Sequence, residues 1–261
     1  MKLPTRIAVK VGSAVLTRSD GTLDVTRLST LVDQIVQLRR AGIEIILISS
    51  GAVASGRGEL HLASDRVQNL DSVEQRQLFS AVGQAKLINR YYDFFREHHI
   101  AVGQVLCQKE NFLSDEQRHN MQTCMGVMLE NGVIPVVNEN DTVCVTELMF
   151  TDNDELSGLI ARMMNAQLLV ILSNVDGLYD GHPGDADSRL IPTVEAGKDI
   201  EAYISTEKSQ AGRGGMQSKC ATAQAVAASG IKVLLARGTR ENVLTDLVFH
   251  PECVPHTAFL P

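Results

Sequence analysis

The sequence predicts an α/β fold in which a mostly parallel sheet lies between two layers of helices. Short, almost continuously apolar runs recur along the chain, and segments with helical periodicity separate them. Strands that are apolar throughout are typical of parallel sheets, because helices cover both faces of such sheets. Since a helical segment follows nearly every apolar run, right-handed crossovers within one sheet are expected.

Six apolar, β-branched runs are predicted to be the strands of this sheet. In chain order they are Ile7–Val11, Ile43–Ile48, Ile100–Leu106, Val133–Val137, Leu168–Leu172 and Ile231–Ala236. Residues 142–151 are expected to form a small hairpin instead. The stretch Asp180–Ser188 is rich in Gly, Asp and Pro, so it is expected to be a loop, as is Lys208–Gly215.

Five amphipathic segments are predicted to be helices between these strands. Their apolar residues repeat every three or four positions over Leu28–Ile35, Leu78–Ala85, Met121–Met128, Leu156–Met163 and Ala223–Ala227. Gly42, Gly132 and Gly230 are expected to end three of them, since glycine readily adopts the left-handed conformation that follows a helix. Ser72 and Gln75 predict a capping box at the start of the second.

Composition and charge exclude several classes of protein. The 261 residues, 44% of them hydrophobic, suffice for one large α/β domain or two small ones. A net charge of −7 argues against a nucleic-acid surface, which needs a basic stripe. The five cysteines form no C-x-x-C pair, which argues against a zinc site or a disulfide framework. Without a membrane-length apolar run or signal-peptide pattern, a cytoplasmic protein is expected.

Polar or glycine-rich segments follow four of the predicted strands. They are Lys10–Ser13, Ser49–Ala52, Asn138–Asp141 and Ser173–Gly177. Parallel strands present their carboxyl ends at one edge of the sheet, and ligands of open α/β sheets bind there. The convergence of these segments therefore predicts one active site at that edge.

Each polar segment also has an ordinary structural interpretation. Lys10 could be an exposed strand-end lysine, Ser50 a plain helix N-cap, and Asn138–Asp141 a turn. A second polar cluster, Thr151–Asp154, precedes the helix around Leu156, and Asp152 or Asn153 could cap that helix. Two polar clusters directed to the same edge favour a functional role for Asp141, Asn153 and Asp154 as a set.

A glycine-rich loop, Gly212–Gly215, leads into a predicted helix that carries Lys219 in its first turn. The backbone N–H groups of such a loop can bind phosphate, and a bound anion would offset the unfavourable interaction of Lys219 with the helix dipole.

The sequence has no G-x-x-x-x-G-K-[ST] loop and no G-x-G-x-x-G after the first strand, which disfavours a P-loop enzyme and a nicotinamide-binding fold. The seven histidines show no metal-ligand spacing, so no metal site is predicted.

The combination of these motifs resembles the glutamate 5-kinase family of the amino acid kinase superfamily. The resemblance runs from Lys10 to about Gly238 and rests on VKVGSAVL (9–16), ILISSGAVASG (46–56), VVNENDTV (136–143), TDNDELSG (151–158), LSNVDGLYDGHP (172–183) and GRGGMQSK (212–219). It implies a three-layer αβα sandwich that transfers the γ-phosphoryl group of ATP to the γ-carboxylate of L-glutamate. The formation of the product, L-glutamyl 5-phosphate, is the first step of proline biosynthesis. The resemblance also implies Mg²⁺ carried by the nucleotide, a homo-oligomer (dimer or tetramer) and feedback inhibition by proline.

The resemblance assigns a role to each residue that matches a family motif. The catalytic residues implied are Lys10, Asp154 and Lys219, and the substrate-binding residues are Ser50, Gly51, Asp141 and Asn153. The ATP-binding residues implied are Lys10, Gly12, Ser173, Asn174, Arg213, Gly214, Gly215, Met216, Gln217, Ser218 and Lys219. No protein metal ligand, nucleic acid or membrane partner is implied.

The chain departs from the family pattern within two of the motifs. Thr151 stands where the family has glycine, and Arg213 stands where it has threonine, which adds charge near the nucleotide. Many members of the family also carry a C-terminal PUA domain. We expect residues 1–261 to form a single amino acid kinase domain without one.

Three other functions remain open at this point. A kinase of the same superfamily could act on N-acetylglutamate, aspartate, carbamate or a nucleoside monophosphate. Asp141 distinguishes glutamate from N-acetylglutamate as the substrate, because a free α-ammonium needs an anionic partner and an N-acetyl group does not. A non-catalytic amino-acid sensor is disfavoured by the retention of Lys10, Lys219 and Asp154. A dehydrogenase is a more distant alternative.

Overall fold

The structure, a computed structural model, describes residues 3–60, 67, 70–143, 153–185, 187–200, 203 and 215–261. Its strands are β1 (Arg6–Val11), β2 (Glu44–Ser49), β3 (Val102–Cys107), β4 (Ile134–Glu139), β5 (Leu168–Ser173), β6 (Thr193–Glu195), β7 (Lys232–Arg237) and β8 (His256–Leu260). Its helices are α1 (Ser13–Leu16), α2 (Val25–Arg40), α3 (Ala52–Leu60), α4 (Ser72–Arg96), α5 (Glu110–Leu113), α6 (Asp115–Glu130), α7 (Asn153–Met163), α8 (Met216–Ala227) and α9 (Val243–Phe249).

The described strands form one sheet in the order β3-β4-β2-β1-β5-β7-β8-β6. Every pairing is parallel except that of β7 with β8. The predicted α/β class is confirmed, and all six predicted strands are present to within two residues at each end. β6 and β8, which extend the sheet at one edge, were not predicted.

Side chains of β1 alternate between the two faces of the sheet, as in any strand. Ile7, Val9 and Val11 pack in one core with α2, α4 and α9, whereas Ala8 packs in a second core with α6, α7 and α8. Lys10 shares the face of Ala8. The alternation therefore directs this one lysine of the strand toward the helices α7 and α8.

The glycines predicted to end helices do so. Gly42, Gly132 and Gly230 have φ angles of +84°, +75° and +88°, in the left-handed region, and each follows a helix C-terminus. The capping box predicted for Ser72 and Gln75 is wrong. It lies one residue earlier, where the Asp71 carboxylate accepts from the N–H of Glu74 and the Glu74 side chain accepts from the N–H of Asp71.

Two predicted loop segments lie largely outside the described residues. For the hairpin predicted at 142–151, only residues 142 and 143 are described, and they lie in a turn. Of the loop predicted at Lys208–Gly215, only Gly215 is described. The described residues of Asp180–Ser188 lie in turns and irregular structure, as predicted. Among the described helices, none is long and apolar enough to cross a membrane.

Candidate active site

A buried carboxylate with two lysines lies where β1, α7 and α8 meet. The Lys10 ammonium forms an ion pair with Oδ1 of Asp154, and Lys219 Nζ lies 3.1 Å from Oδ2 of the same carboxylate. The side chains of Lys10 and Asp154 are 1% and 0% exposed, and that of Lys219 is 10% exposed. The interpretation of Lys10 as an exposed strand-end lysine is therefore wrong. Charges this deeply buried require such partners, because desolvation strongly disfavours a lone ion.

Close packing of α7 against α8 brings Asp154 and Lys219 together. Gly158 on α7 faces α8, where an added Cβ would lie 2.9 Å from Thr222 Cγ2 and 3.0 Å from Val226 Cγ2. A larger residue would force the two helices apart. Asp154 lies in the first turn of α7, where a carboxylate interacts favourably with the helix dipole, and it compensates the unfavourable charge of Lys219 in the first turn of α8.

Gly12 keeps space open beside the Lys10 ammonium. Its N–H donates to the carbonyl oxygen of Leu172, 3.1 Å away, at the end of β5. An added Cβ would lie 3.1 Å from that oxygen and 3.6 Å from Lys10 Nζ. The absence of a side chain at Gly12 therefore lets a ligand approach the lysine and the backbone.

A chain of buried amide hydrogen bonds connects α4, β4, α7 and the loop after β2. Asn138 Nδ2 donates to Gln84 Oε1, and Asn153 Nδ2 donates to both Asn138 Oδ1 and Ser50 Oγ. The donor–acceptor distance is 2.9 Å in all three hydrogen bonds. Both hydrogens of Asn153 Nδ2 are thus engaged, so its side chain can face a substrate only as an acceptor, through Oδ1. These long-range bonds show that Asn153 does more than cap α7.

Asp141, just beyond β4, is held by two residues of α4. Its Oδ1 accepts from Nε and Nη2 of Arg76, at distances of 2.9 and 2.5 Å. Its Oδ2 accepts from the Ser80 hydroxyl at a distance of 3.1 Å. Nη2 of Arg76 also lies 3.4 Å from Oε2 of Glu139. Asp141 is only 6% exposed, and these partners fix the orientation of its carboxylate.

A cavity of about 640 Å³ joins these groups at the carboxyl edge of the sheet. Among the residues that line it are Ser50, Gly51, Asn138, Glu139, Asp141, Asn153, Arg57 and Arg76. All four residues predicted to bind substrate line this cavity. Asp154, the carboxylate of the lysine cluster, follows Asn153 directly in α7, so the helix connects the cluster to a residue in the cavity wall.

The predicted ATP-binding residues that are described lie on the other side of Lys10. Ser173 is buried at the end of β5, and its hydroxyl donates to Oδ1 of Asn174 over 3.2 Å. Gly215, Met216, Gln217 and Ser218 form the N-terminus of α8, with Gly215 as its N-cap. The predicted residues Arg213 and Gly214 lie outside the described residues.

The sequence pattern of the amino acid kinase family matches residues 5–237, which is most of the chain. The chain belongs to the amino acid kinase family. It is 63% identical over 98% of its length to a glutamate 5-kinase of Bacteroides thetaiotaomicron and 46% identical over 93% to one of Chlorobaculum tepidum. These matches confirm the resemblance to the glutamate 5-kinases that the motifs predict. The chain spans 70% of the first relative's length and 66% of the second's.

Solved structures of two less similar kinases share the fold. The UMP kinase of Ureaplasma parvum superposes with a TM-score of 0.65 over 100% of both chains, at 15% sequence identity. An isopentenyl phosphate kinase superposes with a TM-score of 0.66, at 17% identity, over 97% of this chain and 99% of the other. The αβα fold of this chain is therefore shared with these two kinases.

Several residues of this amino acid kinase site were missed by reasoning from the sequence. Arg76, Ser80 and Gln84 lie one turn apart on α4 and face β4, yet no short motif marks them. The spacing of four residues was the available signal, since positions i, i+4 and i+8 share one helix face. Polar residues at that spacing beside the apolar stripe of Leu78–Ala85 are usually read as a solvated face.

Another ion pair ties the loop after β5 to the end of β7 near Ser173. Nε and Nη2 of Arg237 lie 2.9 and 3.0 Å from the two oxygens of Asp176, and the Tyr179 hydroxyl donates to the same carboxylate over 3.1 Å. The hydrogen bond from Arg237 holds the pKa of Asp176 below its usual value of 3.8. The pair thereby fixes the loop that follows Asn174.

Proposed function

We propose that this chain transfers the γ-phosphoryl group of ATP to the γ-carboxylate of L-glutamate, giving L-glutamyl 5-phosphate and ADP. The observation that carries the proposal is the placement of two lysine ammonium groups on one buried carboxylate, that of Asp154, which follows the cavity-lining residue Asn153. The relatives that share 63% and 46% of its residues are glutamate 5-kinases, which supports glutamate as the substrate.

The chemistry requires electrostatic help rather than a general base. A glutamate side-chain carboxylate has a pKa of about 4.3 in water, so it is already ionised at neutral pH. It must approach an anionic γ-phosphate, and positive charge with correct alignment must offset that repulsion. Two lysines at one point suit this requirement.

Lys10 and Lys219 are assigned to the transferring phosphoryl group. They neutralise its charge from opposite sides, because one lies on β1 and the other on α8. Asp154 orients both ammonium groups by contacting each of them. It is a positioning residue in this assignment.

The glutamate is assigned to the cavity beside this cluster. Ser50 and the backbone at Gly51, which has a φ of +112°, lie at its inner wall and help to seat the substrate. Asn153 offers its Oδ1 to a polar hydrogen of the substrate. Asp141 is the anionic partner for the α-ammonium, which an N-acetylated substrate would lack.

The nucleotide is assigned to the side of Lys10 away from the cavity. Gly12, Ser173 and Asn174 lie there, and the N-terminus of α8 from Gly215 to Ser218 offers backbone N–H groups to phosphate. Arg213 and Gly214 belong to the same loop in the sequence. Mg²⁺ accompanies the nucleotide and is held mainly by its phosphates. Within the described part of the chain, no three His, Cys, Asp or Glu side chains are grouped to hold a metal ion.

Further properties are proposed on the resemblance alone. They are a single amino acid kinase domain, a homo-oligomer, a cytoplasmic location and inhibition by proline. Sedimentation of the purified chain tests the oligomer. The expected mass is that of a dimer or a tetramer, and a monomer would contradict it.

One assay tests the proposed function directly. ADP release is measured with Mg²⁺–ATP and a panel containing L-glutamate, N-acetyl-L-glutamate, L-aspartate and UMP, with and without proline. L-glutamate is expected to support the highest kcat/KM, and proline to reduce it. Preference for N-acetylglutamate, or no turnover with any acceptor, would overturn the proposal.

A further inference from the structure

We infer that Arg76 determines specificity in this cavity, by binding the α-carboxylate of a free amino acid whose α-ammonium binds Asp141. This inference rests on the proposed function and adds to it the group that recognises the second charge of the substrate. It makes the Arg76–Asp141 pair a receptor for a zwitterion.

The carboxylates of Asp141 and Glu139 hold the Arg76 guanidinium in place, but they do not use all of its N–H donors. Its Nε and Nη2 hold Asp141 Oδ1, and Nη2 lies 3.4 Å from Glu139 Oε2. Nη1 makes no hydrogen bond to any described residue. Arg76 lines the cavity, and its side chain is 23% exposed, against 7% for Asp141. Because a guanidinium has five N–H donors in a planar fork, Asp141 does not exhaust it.

The helix α4 fixes both partners of this receptor. Arg76 and Ser80 lie at positions i and i+4, on one face of the helix, and each holds a different oxygen of Asp141. The carboxylate and the guanidinium are therefore presented side by side with a defined separation. An α-amino acid carries its own ammonium and carboxylate on one carbon atom, so the two pairs of opposite charges match.

Desolvation explains why a cation is required at this point. A substrate carboxylate that enters a cavity with Glu139 and Asp141 in its wall would be repelled and stripped of water. Among the described residues that line the cavity, Arg57 and Arg76 are the two with basic side chains. Arg57 is exposed and lies over the Phe79 ring, 5.7 Å from its centroid, with Nη1 beside Gly21 at the rim. Arg76, which contacts Asp141, is the one placed for the α-carboxylate.

The test compares two acceptors in the full chain and in Arg76→Gln. L-glutamate has an α-carboxylate, whereas its α-amide keeps the α-ammonium and the γ-carboxylate but lacks that charge. The wild-type chain is expected to prefer L-glutamate by about 10- to 100-fold in kcat/KM, as a charge-assisted pair allows. Arg76→Gln should lose most of this preference. Its kcat/KM for L-glutamate should fall much more than that for the α-amide, which Arg76 affects only through the orientation of Asp141, while its KM for ATP should change little.

Two further variants keep the result interpretable. Arg118→Gln removes an exposed arginine that pairs with Asp115 over 2.7 Å, and it should leave the preference unchanged. Arg76→Lys keeps the charge but not the fork, and it should retain an intermediate preference if Arg76→Gln does not fold. Equal losses for both acceptors in Arg76→Gln, or an unchanged preference, would overturn the inference. If the wild-type chain does not phosphorylate L-glutamate, the proposed function fails, and calorimetric binding of the two acceptors to both variants still tests Arg76.

Discussion

Lys10 and Lys219 contact different oxygens of the same Asp154 carboxylate, although one lies near the start of the chain and the other near its end. Strand alternation directs Lys10 to the face of the sheet that α7 and α8 cover. The first turns of α7 and α8 then bring Asp154 and Lys219 to it. The sheet and one helix pair are thus sufficient to join two cations at one point.

Asp154→Asn is expected to destabilise the chain strongly. The change leaves two buried ammonium groups without this carboxylate, and breaking a buried ion pair typically costs about 3–5 kcal/mol. Urea unfolding of both proteins measures the difference. Asp246→Asn is the control, since Asp246 pairs with Arg240 at 3.5 Å in a partly exposed position and should cost less than about 1 kcal/mol. Similar losses in the two variants would contradict the account.

Asp141→Asn is expected to raise the KM for L-glutamate by about 10- to 100-fold, because the α-ammonium loses a charge-assisted partner. The KM for ATP should change much less, since Asp141 lines the cavity assigned to glutamate. Steady-state kinetics with each substrate varied in turn provide the measurement. Asp115→Asn, which removes an exposed carboxylate paired with Arg118, should leave both constants unchanged. Equal rises in the two KM values would refute the assignment of Asp141.

Gly83→Ala is expected to lower the stability of the folded chain and also to raise the KM for L-glutamate. An added Cβ would overlap the carbonyl oxygen of Ala52, so α3 and α4 would have to separate, at a typical cost of about 1–3 kcal/mol. Ser50 precedes α3 and Arg76 lies on α4, so their separation would also change.

Gly126→Ala on α6 is the matched control for Gly83→Ala. There an added Cβ meets nothing within 4 Å, and alanine should stabilise the helix by about 0.5–1 kcal/mol. Thermal unfolding and the KM for L-glutamate distinguish the two variants. A stabilising effect of Gly83→Ala would contradict the close packing of α3 against α4 at this position.

Thiol labelling is expected to divide the described cysteines into two groups. Burial raises the pKa of Cys107 and of Cys220 to about 12, so both stay protonated and unreactive at pH 8. Cys124 and Cys253 are exposed and should be alkylated. Peptide mapping after iodoacetamide treatment measures this. Rapid modification of Cys220 in the folded chain would contradict its packing beside Lys219.

The same two thiols predict a loss of stability in alkaline solution. Their pKa in the folded chain exceeds the ordinary value of 9.0, so the unfolded chain releases these protons first as the pH rises. Their contribution to stability is therefore complete below pH 9 and is lost between pH 9 and about 12. Unfolding of Cys107→Ala and wild type across this range provides the comparison.

The central strands could be predicted because each is short, apolar and covered on both faces. β8 could not, because His256 and Thr257 interrupt its apolar pattern, and its antiparallel pairing with β7 places it near an edge. β6 has only three residues, of which Val194 alone is buried. The capping box was misplaced because Ser72–Gln75 and Asp71–Glu74 both satisfy its spacing.

The polar segments that follow strands could be predicted to meet, because chain topology brings strand ends together. The partners on α4 could not, since Arg76 reaches Asp141 across a distance of 65 residues in the sequence. Likewise, Gln84 holds Asn138 through a bond that no local spacing encodes. Such contacts depend on how a helix is seated on the sheet, which the sequence pattern of that helix does not specify.

Lys219→Met tests the central claim most directly. Hydroxylamine converts an acyl phosphate into a hydroxamate, so L-glutamyl 5-phosphate can be measured as it forms. Wild type should form γ-glutamyl hydroxamate in step with ADP. Lys219→Met should lose at least about 100-fold in kcat, as expected when a charge that stabilises the transition state is removed, while Lys198→Met, at an exposed lysine, should not. Unchanged hydroxamate formation by folded Lys219→Met would contradict the account.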